Sequence, residues 1–171
     1  REDKALAEEL LADEKEVAEH RMLVDLGRND IGKIAQNNSV EVTKYMEVEY
    51  FRYVMHLTSV VRGQLLPQLT AMDALKSTLP AGTVSGAPKI RAMKRIYELE
   101  QEKRGVYAGA IGYLSATGDM DVAIAIRTMI LKNGRAYVQA GAGIVYDSIP
   151  TNEYQETINK AKSMTKIGEM Q

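Results

Sequence analysis

The sequence predicts an α+β fold in which antiparallel sheet segments are flanked by helices. Three observations carry this. The stretch from Val106 to Val145 holds β-rich runs joined by short glycine-bearing turns, Ala116-Thr117-Gly118-Asp119 and Lys132-Asn133-Gly134. Hairpin spacing of this kind means antiparallel pairing. Helical patterns bracket the sheet at both ends of the chain, and strands do not alternate with helices as a doubly wound sheet requires.

The elements follow in order. From Glu2 to about His20 the chain is rich in Ala, Leu, Glu and Lys, with Leu6, Leu10, Val17 and Met22 near one face. This predicts an amphipathic helix whose pattern continues to Ile34, where Asn37-Asn38-Ser39 breaks it. Val40–Leu65 is enriched in β-branched and aromatic residues, including Val42, Tyr45, Val48, Tyr53 and Val54. Two strands are expected there, with a turn or bulge near Val48–Tyr50. Thr70 is placed to cap a short helix over Ala71–Ser77. The glycines and prolines of Pro80–Lys89 predict a loop, and Ser85 or Gly86 launches a helix to about Leu99 with Pro88 in its first turn. After a turn at Lys103-Arg104-Gly105, three strands are expected: Val106–Ser115, Met120–Leu131 and Ala136–Val145. Asp147–Thr151 then stops the sheet and starts a helix to about Lys166.

Composition narrows the function. The chain has 171 residues, is 45 % hydrophobic and carries a net charge of −1 with 26 % charged residues. That is enough chain for a single domain burying about two-thirds of its unfolded surface. The charge balance argues against a nucleic-acid partner or a membrane surface, both of which select a basic excess. No apolar run approaches the roughly 20 residues of a membrane span. There is no cysteine, which excludes disulfides, thiolate metal sites and cysteine nucleophiles and suits the reducing cytoplasm.

Two carboxylate pairs stand out. Glu16 and Glu19 lie three apart near the end of the first helix, and Glu153 and Glu156 three apart on the last. Residues at i and i+3 share a helix face. Four carboxylates on facing helices repel unless a cation lies between them, and an oxygen-only donor set selects a hard cation such as Mg²⁺. Two solvated acidic faces account for the same pairs and are the commoner arrangement of surface glutamates. Lys160 follows Glu156 by four, which suits a helical ion pair or, alternatively, a grip on a substrate carboxylate.

Gly141 and Gly143, in Gln139-Ala-Gly-Ala-Gly-Ile-Val-Tyr146, let a ligand approach the backbone at a strand end. Tyr146 stands where a dinucleotide fingerprint needs its third glycine, and Gly82–Lys89 lacks the spacing of a Walker A loop, so nucleotide binding is not expected. Arg127 interrupts an apolar run, where a long cation needs either a salt bridge or an anionic substrate. Tyr107 reads as a strand aromatic or a ligand hydrogen bonder, with the residues alone favouring the strand. His56 lies on an expected strand between apolar neighbours, which fits a satisfied core histidine, although its ordinary pKa also suits general acid–base work. His20 reads as helix surface or as a group behind Glu19.

These residues sit within motifs that resemble the chorismate-binding enzymes: the anthranilate, aminodeoxychorismate, isochorismate and salicylate synthases. The resemblance runs from Asp13-Glu-Lys-Glu-Val-Ala-Glu-His20 to Glu153-Tyr-Gln-Glu-Thr-Ile-Asn-Lys160. It passes through Val24–Gly32, Leu79–Met93, Arg104–Tyr107 and Gln139–Val145. It implies a Mg²⁺ ion bound directly by Glu19 and Glu156, with Glu16 and Glu153 acting through water or behind the ligands. It implies that Tyr107 and Arg127 hold the enolpyruvyl carboxylate of chorismate. Thr83, Gly141, Gly143 and Lys160 would line the site, and His56 would assist departure of the ring hydroxyl or the later loss of pyruvate.

Within the family, Ala81-Gly-Thr-Val-Ser-Gly86, Asp25-Leu-Gly27 and Ala140-Gly-Ala-Gly143 look like the anthranilate synthase branch, which takes ammonia from a separate glutamine amidotransferase subunit and serves tryptophan biosynthesis. Two alternatives remain open: the aminodeoxychorismate synthase of the folate pathway, and a non-catalytic piece that only docks the amidotransferase. Family large subunits are considerably longer. Residues 1–171, which open Arg1-Glu2-Asp3-Lys4 without an initiator Met, are therefore expected to be the carboxy-terminal part of a catalytic domain, inactive alone. The missing parts would be an amino-terminal regulatory domain and part of the catalytic domain. A sheet lacking some of its strands leaves open edges, which predicts a homodimer or a strand-exchanged oligomer.

Overall fold

The structure, a computed structural model, describes residues 2–50 and 55–165. The chain divides into two compact units, Arg1–Thr78 and Leu79–Gln171.

The first unit contains α1 (Glu2–Ala12), α2 (Glu14–Gly32), β1 (Glu41–Tyr50), β2 (Met55–Arg62) and α3 (Ala71–Thr78). The single long helix expected from Glu2 onward is broken at Asp13. Its backbone is extended, and its carboxylate accepts hydrogen bonds from Lys15 N at 2.9 Å and Glu16 N at 3.1 Å. A short acidic side chain satisfies the free N–H groups of a new helix better than it serves the interior of an old one, so the periodic pattern spans two helices.

Strands β1 and β2 pair antiparallel, with Val42 opposite Val61 and Val48 opposite Leu57. The irregularity lies between Val42 and Glu47, upstream of the expected Val48–Tyr50, which pair regularly with Leu57, His56 and Met55. Met46 takes φ 51° there, and its N–H donates to Ser59 Oγ at 2.9 Å. A bulge needs just such a stand-in partner for a strand N–H that the neighbouring strand no longer meets. Tyr53 and Val54, expected on these strands, lie outside the described residues.

Thr70 does open α3. The Asp73 carboxylate reaches back to accept from Thr70 N at 2.9 Å and Thr70 Oγ1 at 2.8 Å, the carboxylate half of a capping box. Ser77 Oγ donates to the Asp30 carbonyl at 3.0 Å and ties α3 to α2. Gly63 allows the end of β2 to press on the end of α2, since a Cβ there would lie 2.7 Å from Ile31 Cγ2. Among the described residues, the buried apolar residues of this unit are Ala7, Val24, Ile34 and Ala35.

The second unit contains α4 (Gly82–Ser85), α5 (Lys89–Leu99), β3 (Ala110–Leu114), β4 (Met120–Ile124), β5 (Met129–Lys132), β6 (Arg135–Val138) and α6 (Pro150–Thr165). The three long strands expected here are four short ones in two antiparallel hairpins, β3–β4 and β5–β6. Positive φ values mark the breaks. Gly105 and Ala108 curl residues 105–108 into a turn ahead of β3, and Arg127 at φ 52° ends the apolar run that was to continue from β4 into β5. Asn133 and Gly134 both have positive φ, the type I′ geometry that an Asn-Gly hairpin demands. The helix expected from Ser85 or Gly86 is a single turn, α4, followed by α5. Gly86 at φ 104° separates them, and extended Pro88 caps α5. Pro150 occupies the first position of α6, and the expected end near Lys166 lies outside the described residues.

The described core of this unit is thin: Ala108, Ala125 and Met164 are its buried apolar residues. Large apolar side chains such as Ile90, Tyr97, Leu131, Ile144 and Tyr146 are exposed. Among the described residues no helix is long and apolar enough to cross a membrane. Replacing the capping residue, Asp13→Ala, is expected to lower unfolding stability by about 1 kcal/mol. An unchanged chemical-denaturation midpoint would mean that the carboxylate does not hold the α1–α2 break.

Candidate active site

In the second unit four sequence-predicted residues converge on one piece of backbone. Strand β6 ends at Val138, and the chain runs on without regular structure through Gly141 and Gly143. A methyl group on Gly141 would come 2.8 Å from the Tyr107 hydroxyl oxygen, so only glycine admits that hydroxyl. From α6, Lys160 Nζ donates to the Gly141 carbonyl at 3.2 Å and ion-pairs with Glu156 one turn earlier. Tyr107, Gly141, Lys160 and Glu156 thus form one contiguous group. Tyr107 lies half-buried in the 105–108 turn, which corrects its reading as a strand aromatic. The helical ion pair read for Lys160 is present together with its reach to the glycine segment.

Glu153 lies on the same helix and is buried, at 5 % exposure. It helps line a cleft of about 430 Å³ together with Ala142, Ile144, Val145, Ser148 and Thr157. A carboxylate at that depth demands hydrogen bonds or positive charge, which removes the solvated-face reading for this glutamate.

Thr83 is exposed on α4. The turn that carries it is fastened by Arg104, whose Nη1 donates to the Val84 carbonyl at 2.6 Å. Arg104 also grips Glu100 through Nε, at 2.8 Å from Oε2, and stands with Cζ 5.6 Å from the Tyr107 ring centroid. The hydrogen bond and then the charge of Arg104 hold the Glu100 carboxyl below its usual range, against the opposing effect of burial. Arg127 is exposed, in the bend between β4 and β5, and makes no ion pair among the described residues. Its charge needs no desolvation partner there, so the structural salt bridge considered for it is not the arrangement found.

In the first unit Glu16 is exposed and Glu19 half-buried on α2. The adjacent His20 Nε2 lies 2.7 Å from Ser59 Oγ, the hydroxyl that also holds the β1 bulge. Burial pushes the His20 imidazole below its ordinary pKa. His20 is therefore packed against the sheet rather than set on the helix surface. His56 lies on β2 as expected, but it is exposed and pairs across from Glu49, so it is not a core histidine. His56 and Ser59 are three apart on one strand and point to opposite faces of it. The four glutamates divide two and two between the units.

Sequence reasoning passed over Ser59 and Arg104. A lone strand serine carries no periodic signal, and Arg104 was read as part of a turn and of the Arg104–Tyr107 motif segment, without a role of its own.

The chain belongs to the chorismate binding enzyme family, which it matches over residues 1–166. It is similar to anthranilate synthase component I from Streptococcus pneumoniae TIGR4, with 87 % identity and a TM-score of 0.92 over 96 % of this chain and 38 % of that one. It is 66 % identical to anthranilate synthase component 1 of Lactococcus lactis, over 98 % of this chain and 37 % of the relative. A chain assigned as a 2,3-dihydroxybenzoate-specific isochorismate synthase, from Bacillus anthracis, shares 27 % identity and a TM-score of 0.87 over 99 % of this chain and 45 % of its own. The α+β arrangement is therefore the chorismate-binding fold, and the chain spans a little over a third of the length of the anthranilate synthase relatives it matches.

Gly141→Ala is expected to swing the Tyr107 ring aside without unfolding the chain, because only the tip of one side chain has to move. A crystal structure of the variant with Tyr107 in its original position would contradict the close approach.

Proposed function

We propose that this chain supplies the carboxy-terminal part of the catalytic domain of anthranilate synthase component 1, a cytoplasmic Mg²⁺-dependent lyase of tryptophan biosynthesis. The observation that carries this reading is the 87 % identity to anthranilate synthase component I across almost the whole chain. The convergence of Tyr107, Gly141, Lys160 and Glu156 supports it with a site of the right chemistry.

On this reading ammonia, delivered by a separate glutamine amidotransferase subunit, adds to C2 of chorismate. The ring double bonds shift and the C4 hydroxyl leaves as water. Loss of the C2 proton then expels the enolpyruvyl group from C3 as pyruvate, and the ring becomes anthranilate. Tyr107 and Arg127 hold the enolpyruvyl carboxylate, a hydroxyl and a guanidinium being suited to one carboxylate. Gly141 and Gly143 give the substrate access to the backbone, Thr83 borders the site, and Lys160 adds a positive charge near the carboxylates. His56 assists proton transfer at the departing hydroxyl.

The chemistry of these carboxylates suits a hard cation rather than a soft one. Glu19 and Glu156 would bind Mg²⁺ directly, with Glu16 and Glu153 acting through water. When bound, Mg²⁺ supplies charge neutralisation for the ring carboxylate. Lys160 already engages Glu156, so lysine and metal would share this carboxylate.

Activity is best measured in a polypeptide of the relatives' full length in which this chain supplies the matching segment. There Glu156→Gln should reduce Mg²⁺-dependent turnover by at least about 100-fold, and activity at the parent level would refute the metal role. Product analysis separates the sister reaction: anthranilate lacks the enolpyruvyl ether that 4-amino-4-deoxychorismate keeps, and an amino product retaining that ether would overturn the assignment.

A further inference from the structure

Arg104 meets three separate parts of the second unit with one side chain. Its Nε and Nη2 fork onto the Glu100 carboxylate at the end of α5. Its Nη1 donates to the carbonyl of Val84, the residue after Thr83. Its guanidinium stands over the Tyr107 ring, and Tyr107 N donates to the Arg104 carbonyl at 3.1 Å, so ring and guanidinium share one turn. The side chain is only 23 % exposed. Tyr107 in turn fills the space left open by Gly141.

We propose that Arg104 is a positioning residue for substrate binding, fixing the Tyr107 hydroxyl and the Thr83-bearing turn relative to each other. The inference rests on the substrate roles assigned above to Tyr107 and Thr83. The chemistry requires arginine. A fork for the carboxylate, a further donor for the carbonyl and a flat face for the ring occur together in a guanidinium, whereas lysine offers a compact point charge. Glu100 orients the guanidinium, and the carbonyl and ring take their places from it.

The test compares Arg104→Lys, Tyr107→Phe and the double variant in the full-length polypeptide. Arg104→Lys should raise the chorismate KM about tenfold while kcat stays within about threefold, the mark of lost ground-state binding. The melting temperature should stay close to the parent's, which a merely structural role would not allow alongside that KM. In the Tyr107→Phe background the same change should raise KM by clearly less, about threefold, because the hydroxyl is gone and Arg104 then acts only through the Thr83-bearing turn. An unchanged KM in Arg104→Lys, or the same factor in both backgrounds, overturns the proposal while leaving the reading of Tyr107 in place. Tyr107→Phe with parental KM overturns that reading and the positioning role with it. Should Arg104→Lys fail to fold, Glu100→Gln loosens the fork without removing the guanidinium and is judged by the same KM pattern.

Discussion

A side chain at position 141 would collide with the Tyr107 hydroxyl, and much of the second unit is arranged around the bare backbone that results. The 105–108 turn brings Tyr107 to it, α6 brings Lys160 to its carbonyl, and the same helix carries Glu153 and Glu156 within one turn of each other. A hydroxyl, an ammonium and two carboxylates are thereby gathered from residues far apart in sequence. Backbone proximity does the gathering, and the missing methyl group at position 141 lets the hydroxyl join it.

Electrostatics complete the arrangement. Lys160 is shared between a carbonyl and a carboxylate, and Glu100 accepts three hydrogen bonds from two Arg104 nitrogens. The two cations are partly buried, which strengthens these contacts relative to fully solvated pairs. In the first unit a neutral hydroxyl has the corresponding role: Ser59 serves both the β1 bulge and His20, and so anchors α2 next to Glu19.

The fold class, the hairpin turns, the capped α3 and the proline start of α6 were legible in the sequence because each is encoded locally. Asn133-Gly134 can hardly do anything but turn, and Thr70 is held at the start of α3 by the carboxylate of Asp73 three residues on. The long first helix was misread because Asp13 is compatible with helical periodicity and reveals itself only by capping. The overlong strands were misread because apolar composition does not record where a residue such as Arg127 or Ala108 adopts positive φ. The site residues of the second unit were recognisable by their motifs, and Tyr107, Gly141, Lys160 and Glu156 do come together. Arg104 escaped notice because its partners lie in three different elements, and only folding makes them neighbours.

Arg127 occupies a backbone conformation that costs an L-residue roughly 1–2 kcal/mol and that glycine adopts freely. A sequence selected for stability alone would place glycine at this bend. Arginine stands there exposed and without an ion pair among the described residues, so its own fold gains little from the charge. The position is one where stability-guided redesign and the proposed carboxylate grip pull in opposite directions, and a consensus built on thermostability would erase the guanidinium on which that proposal depends.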